Sequence, residues 1–338
     1  MSRAILIGKW GIGAVVAVLL VMFPLSSSPY ANLQLALAAA YAVALLGLSI
    51  ITGHAGQISL AQAAFFGIGA YTSAIFANMG VPAVLTFVLA CAVPGLLGFV
   101  IALPVVKLRG HSLALITLAV SLIAVPLAIR MKDLTGGTQG LRASLGEAPA
   151  WSGLDRDQWG FYVTMAVAAV LFLVARNLVA GKMGRALALV RTNEVVGAAM
   201  GVPVRRYKIL AFAISAAFGG AGGFLFAYNS QYVSPDTLGF LLGITLLASL
   251  VIGGMRSLLG PIIGALFYVY VPTVAGSVSP EQSALIYGVV LVLVVLFLPG
   301  GVAGALRDLV RLVLRTARRR RDDSGSSGAT AAAPLPSK

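Results

Sequence analysis

Little in this sequence could run chemistry. One cysteine, Cys91, and two histidines, His54 and His111, are spread over 338 residues. A lone cysteine excludes an intrachain disulfide and a cysteine metal cluster, and the two histidines are not at metal-ligand spacing. No G-x-x-x-x-G-K-[ST] run occurs, so the chain has no loop of its own to cradle nucleotide phosphates. Charge is scarce as well: 10% of residues are Asp, Glu, Lys or Arg, against roughly 25% in soluble domains. Acids inside apolar runs are nearly absent, with Asp236 and Glu281 falling only at predicted span ends. Carriers coupled to protons or sodium use ionisable or clustered polar groups at mid-depth. A driving force would therefore come from elsewhere, and no nucleophile–base or metal set marks a catalytic centre.

What is abundant is apolar. The chain is 59% hydrophobic with mean hydropathy +0.97, the composition of a polytopic membrane protein. Ten runs read as spans, at 10–25, 33–52, 61–79, 82–106, 112–129, 160–175, 209–228, 238–254, 258–275 and 283–298. The first is short and is followed by Ser26-Ser27-Ser28, so a span and a cleaved signal peptide both fit it. A net charge of +14 would suggest nucleic acid in a soluble protein. Here all but four of the 24 Lys and Arg (Arg130, Lys132, Arg142, Arg156) fall on one side when the spans alternate. That asymmetry is what orientation by Lys and Arg produces, with that side and both termini cytoplasmic. Nucleic acid is not expected as a partner; lipid is. Residues 1–316 read as one transmembrane domain with a loop at 176–208, and 317–338 as a basic, low-complexity tail expected to be disordered.

The 176–208 loop carries seven basic residues against one acid, Glu194. Its chemistry places a short helix between punctuation marks. Asn193 is an N-cap, Glu194 sits in the first turn where a negative charge favours the dipole, Gly201 suits the C′ position, and Pro203 prevents resumption. Two turns are marginal alone in water, so the membrane domain or a partner must hold them. A docking element and an amphipathic helix lying on the membrane both satisfy the pattern.

Two glycine-bearing polar stretches interrupt the apolar runs. Gly53-His54-Ala55-Gly56-Gln57-Ile58-Ser59-Leu60 fits a re-entrant, cavity-lining segment and a plain turn equally, with Gln57 and Ser59 as its side chains to test. Thr135-Gly136-Gly137-Thr138-Gln139-Gly140-Leu141 offers bare peptide groups to a ligand or docking partner, though glycine-rich turns are common in loops. The small-xxx-small pairs Gly219/Gly223 and Gly260/Gly264 predict close helix packing.

Glu194, Ala198-Ala199 and Gly201 resemble the E-A-A…G loop of ABC-importer permeases. More widely, GHAGQISLAQAAFFGIGAYTSA (53–74), LRGHSLALITLA (108–119), TGGTQGL (135–141), GRALALVRTNEVVGAAMGVPVRRYKILAFAISAAFGGAGG (184–223) and VIGGMRSLLGPIIGALF (251–267) are similar to the permease of the bacterial branched-chain amino acid ABC transporter, M-type subunit. Gln62, where the family is expected to have Gly-His, and Met255-Arg256 depart from its pattern. The resemblance implies an all-α ABC-importer permease in the inner membrane, with a homologous permease, two ATPase subunits and a periplasmic or lipoprotein binding protein as partners. ATP and Mg would be bound by the ATPases, none by this chain. Asn193, Glu194, Ala198, Ala199 and Gly201 would serve ATPase coupling; Gly53, Gly56, Gln57, Ser59, Gly136, Gly137, Thr138 and Gly140 are candidates for the translocation path. Branched-chain or related aliphatic amino acids are the implied substrates. Urea or short amides, and a self-sufficient channel, are the alternatives.

Overall fold

A computed structural model describes residues 22, 24–106, 111–150, 152–279, 282–297 and 300–305. The predicted span at 10–25, Lys107, Arg109, Glu281 and the basic tail lie largely or wholly outside these residues.

The described chain is almost entirely helical. In chain order the helices are α1 (Pro29–Leu48), α2 (Gln62–Asn78), α3 (Ala83–Val105), α4 (His111–Arg130), α5 (Arg156–Ala180), α6 (Lys182–Thr192), α7 (Glu194–Ala199), α8 (Val204–Ser230), α9 (Phe240–Gly253), α10 (Gly260–Val278) and α11 (Ser283–Phe297). The helix of α1 continues as a π-helical turn over Ser49–His54. Among the described residues, six segments are long and apolar enough to cross a membrane: Pro29–His54, Ala83–Val105, Ser112–Arg130, Arg156–Ala180, Val204–Ser230 and Gly260–Ser277. The runs expected as full spans at 61–79 and 238–254 are helices of only 17 and 14 residues. At 1.5 Å per residue these reach about 26 and 21 Å, short of a hydrocarbon core of about 30 Å.

The shortfall has a structural cause at each end of the bundle. One end, here the basic end, gathers Gly53, Arg191 and Met255. The far end gathers Asn78, Arg142 and Gln231, with Asn78 Nδ2 donating to Arg142 O at 2.7 Å and Ala143 N to Gln231 O at 2.9 Å. After His54 the chain does not simply turn at the basic end. Gln57 N still bonds Ile51 O at 3.0 Å, but Leu60 N donates out of the segment to Thr117 Oγ1 (3.1 Å), while Ser121 Oγ donates to Leu60 O (2.7 Å). Gln62 then donates to Ala44 O at 2.7 Å. Ala44 is ten residues back from His54 along α1, so α2 starts about 15 Å inside the basic end. The segment 55–61 is re-entrant, which resolves the two readings its sequence allowed.

A second dip enters from the far end. Beyond α8, Tyr232–Val233 (β2) pairs antiparallel with Leu141–Arg142 (β1). A 3-10 turn, Pro235–Leu238, then folds inward until the buried Leu238 packs on Gly67 of α2, and α9 begins. The two dips are reciprocal: Leu238 sits on a glycine of α2, and Leu60 O sits 2.8 Å from where a Cβ on Gly243 of α9 would lie.

α8 is the centre of the packing and touches α1, α2 and α3 along its length. Its run Gly219-Gly220-Ala221-Gly222-Gly223 lets these backbones meet: a Cβ on Gly222 would stand 2.7 Å from Ala40 O, and one on Gly219 3.1 Å from Phe65 Cβ. Both predicted small pairs serve this purpose, since Gly264 and Gly260 likewise bring α10 against Ser249 and Gly254. In lipid, where burying apolar surface gives helices no extra drive to associate, such contact is the main source of association.

Candidate functional site

The basic end carries the most chemistry. Helix α7 begins and stops where its sequence dictates. Asn193 is the N-cap, its Oδ1 accepting from Val195 N at 2.9 Å and Val196 N at 3.3 Å. Gly201 follows the last turn in the left-handed region, φ +79°, and Val202 N closes back on Gly197 O at 3.0 Å, a Schellman-like end.

What holds this six-residue helix is an ion pair. Glu194 pairs with Lys208 in the second turn of α8, and the Lys208 side chain is only 6% exposed against 28% for Glu194. Glu194 is therefore more than a dipole partner; it neutralises a lysine buried in the membrane domain. Val195, Val196 and Met200 remain exposed on the other side, an apolar patch on an otherwise basic surface. Ala198 and Ala199 are also exposed or partly so, whereas Gly197 is buried against Val190.

Sequence reading missed the element that joins α7 to the rest. α6 is an eleven-residue helix whose buried Ala186, Leu187 and Val190 face inward while Lys182 and Arg185 face outward. Its last turn carries Arg191, whose Nη1 donates to Gly53 O, the last turn before the re-entrant segment. Gly56, at φ +72°, lies against the Arg191 stem, where a Cβ would come within 2.8 Å of Cγ. Burial, and next the like charge of Arg256, lower the Arg191 pKa from the usual guanidinium value; such a group stays protonated in any case. The spacing of Met183, Leu187 and Val190 was the signal available for α6.

Within the re-entrant segment, Gln57 and Ser59 are 6% and 2% exposed. Thr52 Oγ1 donates to Gln57 O at 3.1 Å, but neither the Gln57 amide nor the Ser59 hydroxyl has a hydrogen-bond partner among the described residues. Ile58 between them is half exposed. The strand-like alternation aims two polar groups inward and one apolar group outward. Gln62, the departure from the family pattern, is 1% exposed and ties three helices: Nε2 donates to Ala44 O and, at 3.3 Å, to Ser215 O, and Oε1 accepts from Ser215 Oγ at 3.1 Å. Two carbonyls and a hydroxyl are thus satisfied at mid-depth by one amide.

The glycine stretch lies at the far end, a separate place. Gly136, Gly137 and Gly140 all have positive φ. A side chain on Gly140 would come within 3.0 Å of Tyr232 Oη, which donates to Gln139 O at 2.6 Å. Turn geometry accounts for these glycines, and Thr138 is exposed at the tip. The structure therefore does not bring 136–140 together with 53–59; it brings 53–59 together with α6, which leads directly into α7.

Comparison with known proteins identifies the family. The family model described as "Branched-chain amino acid transport system / permease component" matches residues 30–295. The "High-affinity branched-chain amino acid transport system permease protein LivM" of Escherichia coli (strain K12) is 29% identical over 296 residues, covering 80% of this chain and 69% of that protein. Its counterpart of the same name in Salmonella typhimurium is 29% identical over 298 residues with the same coverage. Among solved structures, PsaBC from Streptococcus pneumoniae in complex with Fab covers 84% of this chain and 95% of its own at 15% identity, with a TM-score of 0.41. The chain is a multi-pass membrane protein and belongs to the permease component family of branched-chain amino acid transport systems.

Proposed function

We propose that this chain is the membrane-spanning subunit of an ATP-driven importer for branched-chain or related aliphatic amino acids. Separate ATPase subunits dock on α7, a homologous permease completes the path, and a binding protein delivers substrate at the far end. The observation that carries the reading is the continuous bonded route from α7 through Arg191 to Gly53. An ATPase moving α7 would pull on the re-entrant segment that carries Gln57 and Ser59, and those two side chains lack hydrogen-bond partners among the described residues. The reading places the basic end in the cytoplasm, in keeping with the distribution of Lys and Arg.

The test is uptake of radiolabelled leucine, with urea in parallel, into vesicles holding this chain, its homologous permease, the ATPases and the binding protein. ATP-dependent leucine uptake is expected. Urea uptake alone would change the substrate, and uptake persisting without ATPases would replace the importer by a channel. Gly201→Val adds a sharper check. No atom lies within 4 Å of the new Cβ, so the substitution strains only the left-handed turn, by about 1–2 kcal/mol. The chain should reach the membrane at normal levels and lose coupled uptake. Wild-type uptake by this variant would remove α7 from the coupling route.

A further inference from the structure

An apolar groove of about 560 Å³ runs between α1, α5 and α10, and it has the form of a seat for one more helix. Its floor is Ala38, Ala39 and Ala42, none more than 9% exposed, while its rims, Leu173, Ile262 and Leu266, are 38–53% exposed. No ionisable group lines it. Small residues between taller walls let another backbone approach closely, which is how helices associate in lipid. Of the six long apolar segments, α5 is the least covered by the rest of the described chain. Between Leu35 and Leu46 the groove extends about 17 Å.

The chain itself is fastened at the head of this groove. Met22 and residues 24–26 are helical, and only Ser27 and Ser28 separate them from α1. Pro24 is buried, and its carbonyl accepts from Asn32 Nδ2 of α1 and from Gln158 Nε2 of α5, each at 3.2 Å. Met22 and Leu25 point away, 61% and 56% exposed. At intervals of three and four, Asn32 shares one face of α1 with Leu35, Ala39, Val43 and Leu46. Gln158 likewise shares one face of α5 with Met165, Ala169 and Phe172. The two side chains that grip Pro24 therefore stand on the faces that line the groove. A two-residue connection makes its flanking helices antiparallel neighbours. We propose that the groove holds residues 10–21 of this same chain, running as a helix from Pro24 back towards the basic end. With Pro24 beside Asn32 and Gln158, antiparallel counting sets Ala17 against Ala39 and Met165, and Gly13 against Val43 and Ala169. From Trp10 to Pro24 such a helix measures about 21 Å, enough to cover the groove. Arg3 and Lys9 then emerge at the basic end, the side that the other Lys and Arg mark as cytoplasmic. A lipid or a neighbouring subunit must displace a segment tethered by two residues, whose effective concentration is on the order of millimolar. Of the two readings of the first apolar run, the groove supports the span.

The experiment is disulfide trapping in the assembled transporter, in native membranes, with Cys91→Ser removing the chain's own thiol. On mild oxidation Ala17→Cys with Ala39→Cys should close within one chain, read as loss of both thiols to a maleimide and as joined peptides in a digest. Val15→Cys lies half a turn round the helix, outside the about 4.5 Å between Cβ atoms that a disulfide spans, and its pair with Ala39→Cys should be trapped at least about tenfold less. Gly13→Cys with Ala169→Cys repeats the measurement against α5, so a single pair that fails to fold does not decide the result. Equal trapping of Ala17→Cys and Val15→Cys would overturn the proposal. So would disulfides formed between two copies of the chain or with the homologous permease, or an intact mass showing a chain that begins after Ser28. A groove labelled by a photoactivatable lipid, with neither pair trapped, would overturn it in favour of lipid. None of these readouts uses uptake, so the result is independent of the importer reading.

Discussion

Glu194→Ala is expected to lower coupled uptake by about two orders of magnitude or more, and to do more harm than Lys208→Met. The two partners are unequal. Removing the carboxylate strands an ammonium whose side chain is 6% exposed, whereas removing the ammonium leaves a carboxylate that is 28% exposed and can turn to water. Breaking a buried pair from one side costs about 3–5 kcal/mol. A helix of six residues cannot absorb that from its own bonds, so α7 should detach while the membrane domain stays folded. Trypsin would report the event directly, because Arg191 and Arg205 flank α7 and should become cleavable in the Glu194→Ala chain. The double variant Glu194→Ala/Lys208→Met should regain part of the loss, since no charge is then stranded. Equal and mild effects of the two single variants would mean that the pair does not hold α7.

Gly220→Val should abolish the folded chain. Gly220 is caught between two backbones: a Cβ there would collide with Ala90 O and stand 2.7 Å from Pro94 Cγ of α3, while Gly69 of α2 abuts the same residue from its other side. α8 cannot retreat from α3 without driving into α2. Overpacking a core typically costs about 1–3 kcal/mol when side chains can shift, and here the obstacles are main chain, so the cost should exceed that range. Size-exclusion chromatography of the detergent-extracted protein should show no monodisperse peak. Gly276→Val, where nothing lies within 4 Å of the added carbon, should elute like wild type. A normal peak from Gly220→Val would show that the glycine run is not what sets the helix spacing.

The bounds of α7 were legible because caps are local chemistry: Asn193, Gly201 and Pro203 act within one turn of themselves. The family motifs and the helical class were legible for the same reason, each resting on contiguous residues. Depth was not. Hydropathy registers that 53–60 is polar but not that its far side lies beside Thr117 and Ser121 on α4, contacts more than fifty residues away in sequence. The same blindness made 238–254 look like a full span, when α9 starts only after Leu238 has folded back onto Gly67. α6 stayed hidden behind Lys182, Arg185 and Arg191, and with it the contact from Arg191 to Gly53. The Glu194 pairing was open to no local argument, since Lys208 lies fourteen residues on and its burial depends on α8. Gln62, noted only as a departure from the family, is one of the best-satisfied polar side chains in the bundle.

The Gln62 junction also sets an order of events at the ribosome. Its amide is satisfied by Ala44, which emerges earlier, and by Ser215, which is synthesised about 150 residues later. Until α8 arrives, half of that amide and the start of α2 have no partner in a hydrocarbon medium, where each unmet polar group costs several kcal/mol. α2 therefore cannot settle when it is made. It must wait at the insertion machinery or in contact with water, and lock only when the second half of the chain brings both Ser215 and the glycine of α9 on which Leu60 rests.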